Sequence, residues 1–125
     1  MEEPPLILDG TRVVEYAIFD RSAAATGRAS AVVDGVTVDL SNVAGVVITE
    51  NLAADGFFLL HCNDRWESLA VGHHPDVAFA RNTAERAYAG LTMLWTPFRE
   101  LTAEEAAEVA STRAFLRELA ADFPE

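Results

Sequence analysis

Lysine is absent from this chain: all nine basic side chains are arginine, set against twenty Asp and Glu, for a formal charge of −11 over 125 residues. A surface of that sign repels phosphate backbones and anionic lipid and favours basic partners, so nucleic acid and membrane surfaces are not expected as ligands. Cysteine occurs once, at Cys62, which leaves no intramolecular disulfide to form and fits a reducing compartment. Long apolar runs are missing too. The longest, 43–48 and 57–60, fall far short of the roughly 20 residues that cross a bilayer. Residues 1–5, Met-Glu-Glu-Pro-Pro, are acidic and stiffened by proline where an export signal opens with positive charge, so a cytoplasmic location is expected.

The motifs of common chemistries are equally scarce. Gly27, Gly35, Gly45, Gly56, Gly72 and Gly90 are dispersed at turn positions, and no G-x-G-x-x-G or Walker pattern follows a strand-like run. No serine sits in a G-x-S-x-G elbow. Asp34-Gly35 and Asp55-Gly56 read as turns, because no alternating Asp/Asn ladder closed by a Glu surrounds them. The doublets His61-Cys62 and His73-His74 invite a metal or Cys–His reading. Neighbours on a strand face opposite sides, however, so His61 and Cys62 do not share a site. With Cys62 opposite about Glu67 and His61 opposite about Ser68, His73 falls about five residues along the ladder, on the order of 16 Å away. No catalytic residue, cofactor or metal is therefore expected, and an enzymatic role has no motif behind it.

What is present describes one α+β domain over 1–125, of a length that buries roughly two-thirds of its unfolded surface. After a segment 1–10 expected to be extended, period-two alternation of apolar residues predicts a strand from Arg12 to Phe19. Asp34-Gly35 between β-branched runs predicts a tight hairpin. Further strands are expected near 43–50, 57–62 and 66–71, the last two joined by Asn63-Asp64-Arg65. Beyond Gly72 the period becomes helical, with Pro75-Asp76 as the start of a helix near 77–90 whose inner stripe is mostly alanine. Thr102-Ala103-Glu104-Glu105 is a capping box for a helix over 102–122. Val109, Thr112, Leu116, Leu119 and Phe123 form its expected inner stripe, with Phe115 beside it and Glu104, Glu108, Arg117 and Glu118 outward. The expected architecture is an antiparallel sheet of five or six strands within 11–72, followed by the two helices packing on it.

Candidate contact residues follow from charge and aromatic placement. Acidic residues number ten in 1–65 and ten in 66–125, so the charge belongs to the whole surface rather than to a tail. Glu104, Glu105 and Glu108 crowd one predicted helical turn, where the helix macrodipole alone also favours negative charge. Asp64 stands at a hairpin tip beside Trp66, and Trp95 and Phe98 lie in an apolar connector. These seven residues are the expected partner-binding set, since interfaces combine aromatic anchors with a charged rim.

Between residues 57 and 95, Cys62-x-x-x-Trp66, His74, Ala84-Glu85-x-x-Tyr88-x-Gly90 and the closing Trp95 resemble a group of small acidic bacterial proteins. In that group a hairpin L-x-C-D-x-x-W precedes a helix ending A-E-x-x-Y-x-G and a Trp. The resemblance brings no established activity, and its motif reads as turn, helix face and C-cap. Asn63 stands where the group has Asp, and the helix from 102 onward is additional. Immunity proteins of bacterial toxin systems are similar in size, charge and lack of catalytic motif. The expectation is thus a non-enzymatic, acidic protein-interaction domain with a basic protein partner, of which an immunity-type inhibitor of a basic toxin or nuclease is one form. A homodimeric accessory or regulatory domain is the first alternative; a small-molecule-binding or enzymatic domain with a pocket between helix and sheet is the second.

Overall fold

A computed structural model describes residues 1–19, 24–25, 30–33, 36–39 and 43–122. The strands are β1 (Ile7–Leu8), β2 (Thr11–Ile18), β3 (Ala24–Ala25), β4 (Ser30–Val33), β5 (Val36–Asp39), β6 (Gly45–Asn51), β7 (Phe57–Cys62) and β8 (Ser68–His74). Helix α1 (Val77–Ala87) follows, then β9 (Tyr88–Ala89), a 3-10 turn at Leu91–Met93, β10 (Thr96–Pro97) and helix α2 (Ala103–Asp122). The main sheet is antiparallel in the order β1-β2-β6-β7-β8, with β10 as a sixth strand sharing the outer edge of β2 with β1. This is the expected α+β fold.

Three details differ from expectation. The hairpin of β4 and β5 pairs antiparallel, with Val33 opposite Val36, but forms its own two-stranded sheet; its Asp34-Gly35 turn lies outside the described residues. The main sheet instead recruits β1 and β10, which flank the expected range of 11–72 on both sides. The tight turn that joins β1 to β2 is Asp9-Gly10, with φ of 53° and 75°, the positive pair that a type I′ turn requires.

Burial organises the sheet into two faces. One carries Ala17, Val46, Ile48 and Leu59 and is covered by Ala80, Ala84, Tyr88 and Leu91. The other gathers Leu8, Val13, Val47, Leu60, Cys62 and Trp66. Strand β2 supplies both faces because its register shifts: Val13 is opposite Thr49 and Glu15 opposite Ile48, so Val14 is an extra residue. Strand β6 runs through the middle, and Val46, Val47, Ile48 and Thr49 are all 0% exposed. Each such aliphatic side chain stabilises the fold by about 1.5–3 kcal/mol when removed from water.

Helix α1 starts where Asp76 accepts a 2.8 Å hydrogen bond from the Phe79 amide. Its buried residues are Ala80 and Ala84, whose small side chains let the helix backbone approach the sheet. The helix ends at Ala87 rather than near 90, because Tyr88 turns to extended backbone and Gly90 takes a left-handed φ of 80°.

Helix α2 begins with the expected capping box: the Glu105 amide donates to Thr102 Oγ1 at 3.2 Å and the Thr102 amide to Glu105 Oε1 at 3.0 Å. Along α2 only Val109 is buried, and Leu119, expected inward, is exposed; Phe123 lies outside the described residues. The helix reaches the end of the sheet through guanidinium groups. Arg113 Nη2 bonds Glu50 Oε1 at 2.8 Å, Arg117 Nε donates to the Leu52 carbonyl at 3.3 Å, and Arg117 lies 3.7 Å from Asp55. Arg117, expected outward, therefore faces the body of the protein.

Because α1 depends on close approach, Ala84→Leu is expected to lower the unfolding free energy by about 1–3 kcal/mol, the usual cost of overpacking a filled site. Urea unfolding followed by circular dichroism measures it; an unchanged midpoint would show room between α1 and the sheet.

Candidate interaction surface

The buried titratable groups His61, Cys62 and Tyr88 lie on β7 and just past the end of α1. His61, 4% exposed, places Nδ1 2.5 Å from the Tyr88 hydroxyl. Burial, with a smaller contribution from the charge of His74, holds the His61 pKa down at about 4. Burial pushes Tyr88 up, and it pushes the Cys62 thiol up to about 12, with Asp9 adding to the effect. A thiol held protonated and covered is a poor nucleophile. Alternation places His61 and Cys62 on opposite faces, in different core clusters or beside them.

The β7–β8 register departs from the one expected from sequence. Cys62 is opposite Ser68 and His61 opposite Ala70, so Leu69 is an extra residue in β8. His73 then lies opposite Phe58, three residues from Ala70 along the strand, or about 10 Å at the usual rise. Its ring sits 5.3 Å from that of Phe58 in an edge-on contact. Among the described residues no group of three or more His, Cys, Asp or Glu side chains could hold a metal ion.

The seven residues singled out by sequence separate into different environments. Trp66 is core: 8% exposed, with φ of 60°, its Nε1 donates to the Glu2 carbonyl at 2.9 Å and its ring meets Tyr16 edge-on. Trp95 is partly buried against the first cluster and Phe98 against the second, the latter with the Arg99 guanidinium 5.1 Å above its ring. Asp64 is exposed in the β7–β8 turn. Glu105 is engaged by Arg99, whose Nη1 and Nη2 each lie 2.6 Å from one of its oxygens. That pairing, followed by the Thr102 amide, pulls the Glu105 pKa down to about 2. Glu104 and Glu108 are exposed and have no ion pair among the described residues.

At about 100° per residue, Glu104, Glu108, Ser111, Phe115, Glu118 and Asp122 fall within a strip about 80° wide on the outer side of α2. All six are exposed. Phe115 is 63% and Leu119 43% exposed, and with Glu118 and Asp122 they line a shallow cleft of about 170 Å³. Glu118 and Asp122, like Glu104 and Glu108, have no ion pair among the described residues. The arginines point the other way: Arg113 to Glu50, Arg117 to Leu52 and Asp55, Arg99 to Glu105 and Glu3. The outer side of α2 thus sets exposed Phe115 between two carboxylate pairs, with Leu119 beside the second.

Sequence reasoning included Glu104 and Glu108 but missed Phe115, Leu119, Glu118 and Asp122. The alternating four- and three-residue spacing from 104 to 122 is a second helical stripe beside the one read as core. No known protein family, no curated protein and no solved structure matches the chain.

The buried histidine gives a pH prediction. A proton binds His61 in the unfolded chain near pH 6.5 but in the folded protein only near 4, so His61's contribution is complete above 6.5 and lost progressively as pH falls to about 4. A shift of that size corresponds to roughly 3 kcal/mol. His61→Gln, which can still bond Tyr88, is expected to flatten the fall in unfolding free energy between pH 6.5 and 4 relative to wild type. Equal slopes for the two proteins, measured by urea unfolding across that range, would show that His61 is not held neutral.

Proposed function

We propose that this chain is a non-enzymatic acidic interaction domain that works in the cytoplasm and binds a basic protein partner through the outer side of α2. One observation carries the reading: Phe115 stands exposed between two pairs of carboxylates, with Leu119 exposed beside the second, and none of the four has an ion pair among the described residues. Interfaces concentrate binding energy in apolar or aromatic anchors at their centre, while charge at the rim steers the approach. An anchor with acid on both sides suits a partner whose contact patch is apolar at its centre and basic around it. A chain charge of −11 adds long-range attraction toward the same partner. An immunity-type inhibitor, whose carboxylates fill the basic site of a toxin or nuclease, is the specific form that this chemistry fits.

The test is kinetic. With a partner isolated from the source cells, the association rate is expected to fall as salt rises and the Debye length shrinks from ~10 Å at 0.1 M to ~3 Å at 1 M. Paired reversals Glu104→Arg with Glu108→Arg, and Glu118→Arg with Asp122→Arg, are expected to slow association, with each exposed change altering stability by less than ~0.5 kcal/mol. Reversal of Asp64 reports whether the β7–β8 turn also takes part. Rates indifferent to salt and to both paired reversals would rule out capture by the acidic face of α2.

A further inference from the structure

The order of groups along α2 says more about the partner than their charge does. Glu104 and Glu108 occupy the first turns, Ser111 and Phe115 the middle, and Glu118, Leu119 and Asp122 the last turns. At 1.5 Å per residue the face is about 27 Å long, and the centres of the two acidic pairs lie about 21 Å apart. Resting on the reading of this face as the partner surface, we infer that its occupant is one basic helix of a partner protein, carrying two Lys or Arg pairs about 14 residues apart around an apolar middle.

A rod-shaped face of five turns is matched along its whole length by another helix at a shallow crossing angle, near 20°. A strand covering the same ~27 Å has about eight residues and turns only about four of them toward the face, against about six from a helix. The cleft of about 170 Å³ beside Phe115 and Leu119 is lined by two acids as well. An apolar space of ~150 Å³ holds a molecule the size of benzene, so one large aliphatic or aromatic side chain suffices to fill it. The cleft lies beside the second acidic pair, so that side chain and one basic pair share an end of the partner helix, while a further apolar residue meets Phe115 between the pairs.

A second copy of this chain is disfavoured on the same evidence. Antiparallel pairing of two α2 faces sets Glu104 and Glu108 against Glu118 and Asp122; parallel pairing sets each acidic pair against itself. Either way carboxylates meet carboxylates. No lysine exists to relieve this, and Arg113 and Arg117 on this helix are turned toward Glu50, Leu52 and Asp55.

Two synthetic 19-residue helical peptides of identical composition test the inference. One carries Lys at positions 1, 5, 15 and 19 with Leu at 8 and 12; the other carries the four Lys at the middle and the Leu at the ends. The fluorescence anisotropy of labelled peptide is titrated with the full chain at low salt. The patterned peptide is expected to bind at least tenfold more tightly than the permuted one, to lose at least fivefold on Phe115→Ser, and to recover with Phe115→Leu. Circular dichroism of both variants checks that α2 is retained. Equal affinity for the two peptides, or no effect of Phe115→Ser, would overturn the patterned-helix inference while leaving capture of a basic partner standing. Failure of both peptides to bind would also overturn it, and the salt dependence with the isolated partner then judges the broader reading on its own. Sedimentation of the chain alone at pH 7 completes the test: a dimer that dissociates on Phe115→Glu would make the second copy the occupant.

Discussion

Strand β6 imposes the constraint on which the rest of the molecule depends. It is paired on both edges, and Val46 through Thr49 are sealed from water on both faces, so each face of the sheet needs its own cover. Helix α1 covers one, and it can do so closely because Ala80 and Ala84 keep its backbone near Val46, Ile48 and Leu59. Among the described residues no helix covers the second face. Pro4 and Leu8 from the start of the chain are buried, Leu8 in the cluster with Val13, Val47, Leu60, Cys62 and Trp66, and Phe98 packs against that cluster from the far end of the sequence. Trp66 ties the arrangement together. Its left-handed backbone, costly for a bulky residue, is maintained where the ring packs into the cluster and Nε1 holds the Glu2 carbonyl.

Helix α2 adds little to this cover, and on the second face Phe58, Leu60 and Val71 still line an open apolar cleft. Burial of Val109 alone gives that helix little hydrophobic anchorage, and arginine supplies the rest. Arg12 and Arg113 converge on the single carboxylate of Glu50, at 3.9 and 2.8 Å, while Arg99 takes both oxygens of Glu105 in a forked contact that an ammonium group cannot reproduce. Exposed pairs of this kind are individually weak, so α2 is held by several weak ties rather than by one core. The further consequence is electrostatic. Arg81 is likewise turned to Glu15, which is buried, and five of the nine arginines thereby pair with specific acids among the described residues. The unmatched carboxylates of α2 are left on its outer side.

How legible this was in the sequence depended on the range of the interaction that decides each feature. The start of α1 at Asp76 and the Thr102–Glu105 capping box are settled within four residues and could be read directly. The β7–β8 hairpin was also readable, but its register was not, because the extra residue at Leu69 depends on how the strand fits its neighbours. Strands β1 and β10 are two residues each and exist because β2 offers them an edge; nothing in Ile7–Leu8 or Thr96–Pro97 alone announces a strand. In α2 the sequence carries one apolar stripe through Val109, Leu116 and Leu119, with Phe115 beside it, yet only Val109 is buried. Periodicity cannot say how much of such a stripe meets the body of the protein; the positions of Glu50 and Leu52, more than fifty residues earlier, decide it through Arg113 and Arg117. Likewise Glu104, Glu105 and Glu108 look equivalent as a run, and only the placement of Arg99 removes Glu105 from the group.

The exposed Phe115 is the feature that a purely solvated acidic helix would not have. A carboxylate face alone attracts any basic surface, and such attraction is broad, weak and easily screened. An exposed aromatic ring alone attracts any apolar surface, including the same ring on another copy of the chain. Placed between Glu104–Glu108 and Glu118–Asp122, the ring is reached only by a surface that neutralises both acidic pairs as it arrives. In the proposed reading the carboxylates act as a filter on what the ring touches, and the ring converts a generic electrostatic encounter into one with a fixed register along the helix. Guanidinium docking of the opposite side sets this charge pattern: by turning Arg113 and Arg117 inward it keeps the outer side of α2 of one sign over all five turns.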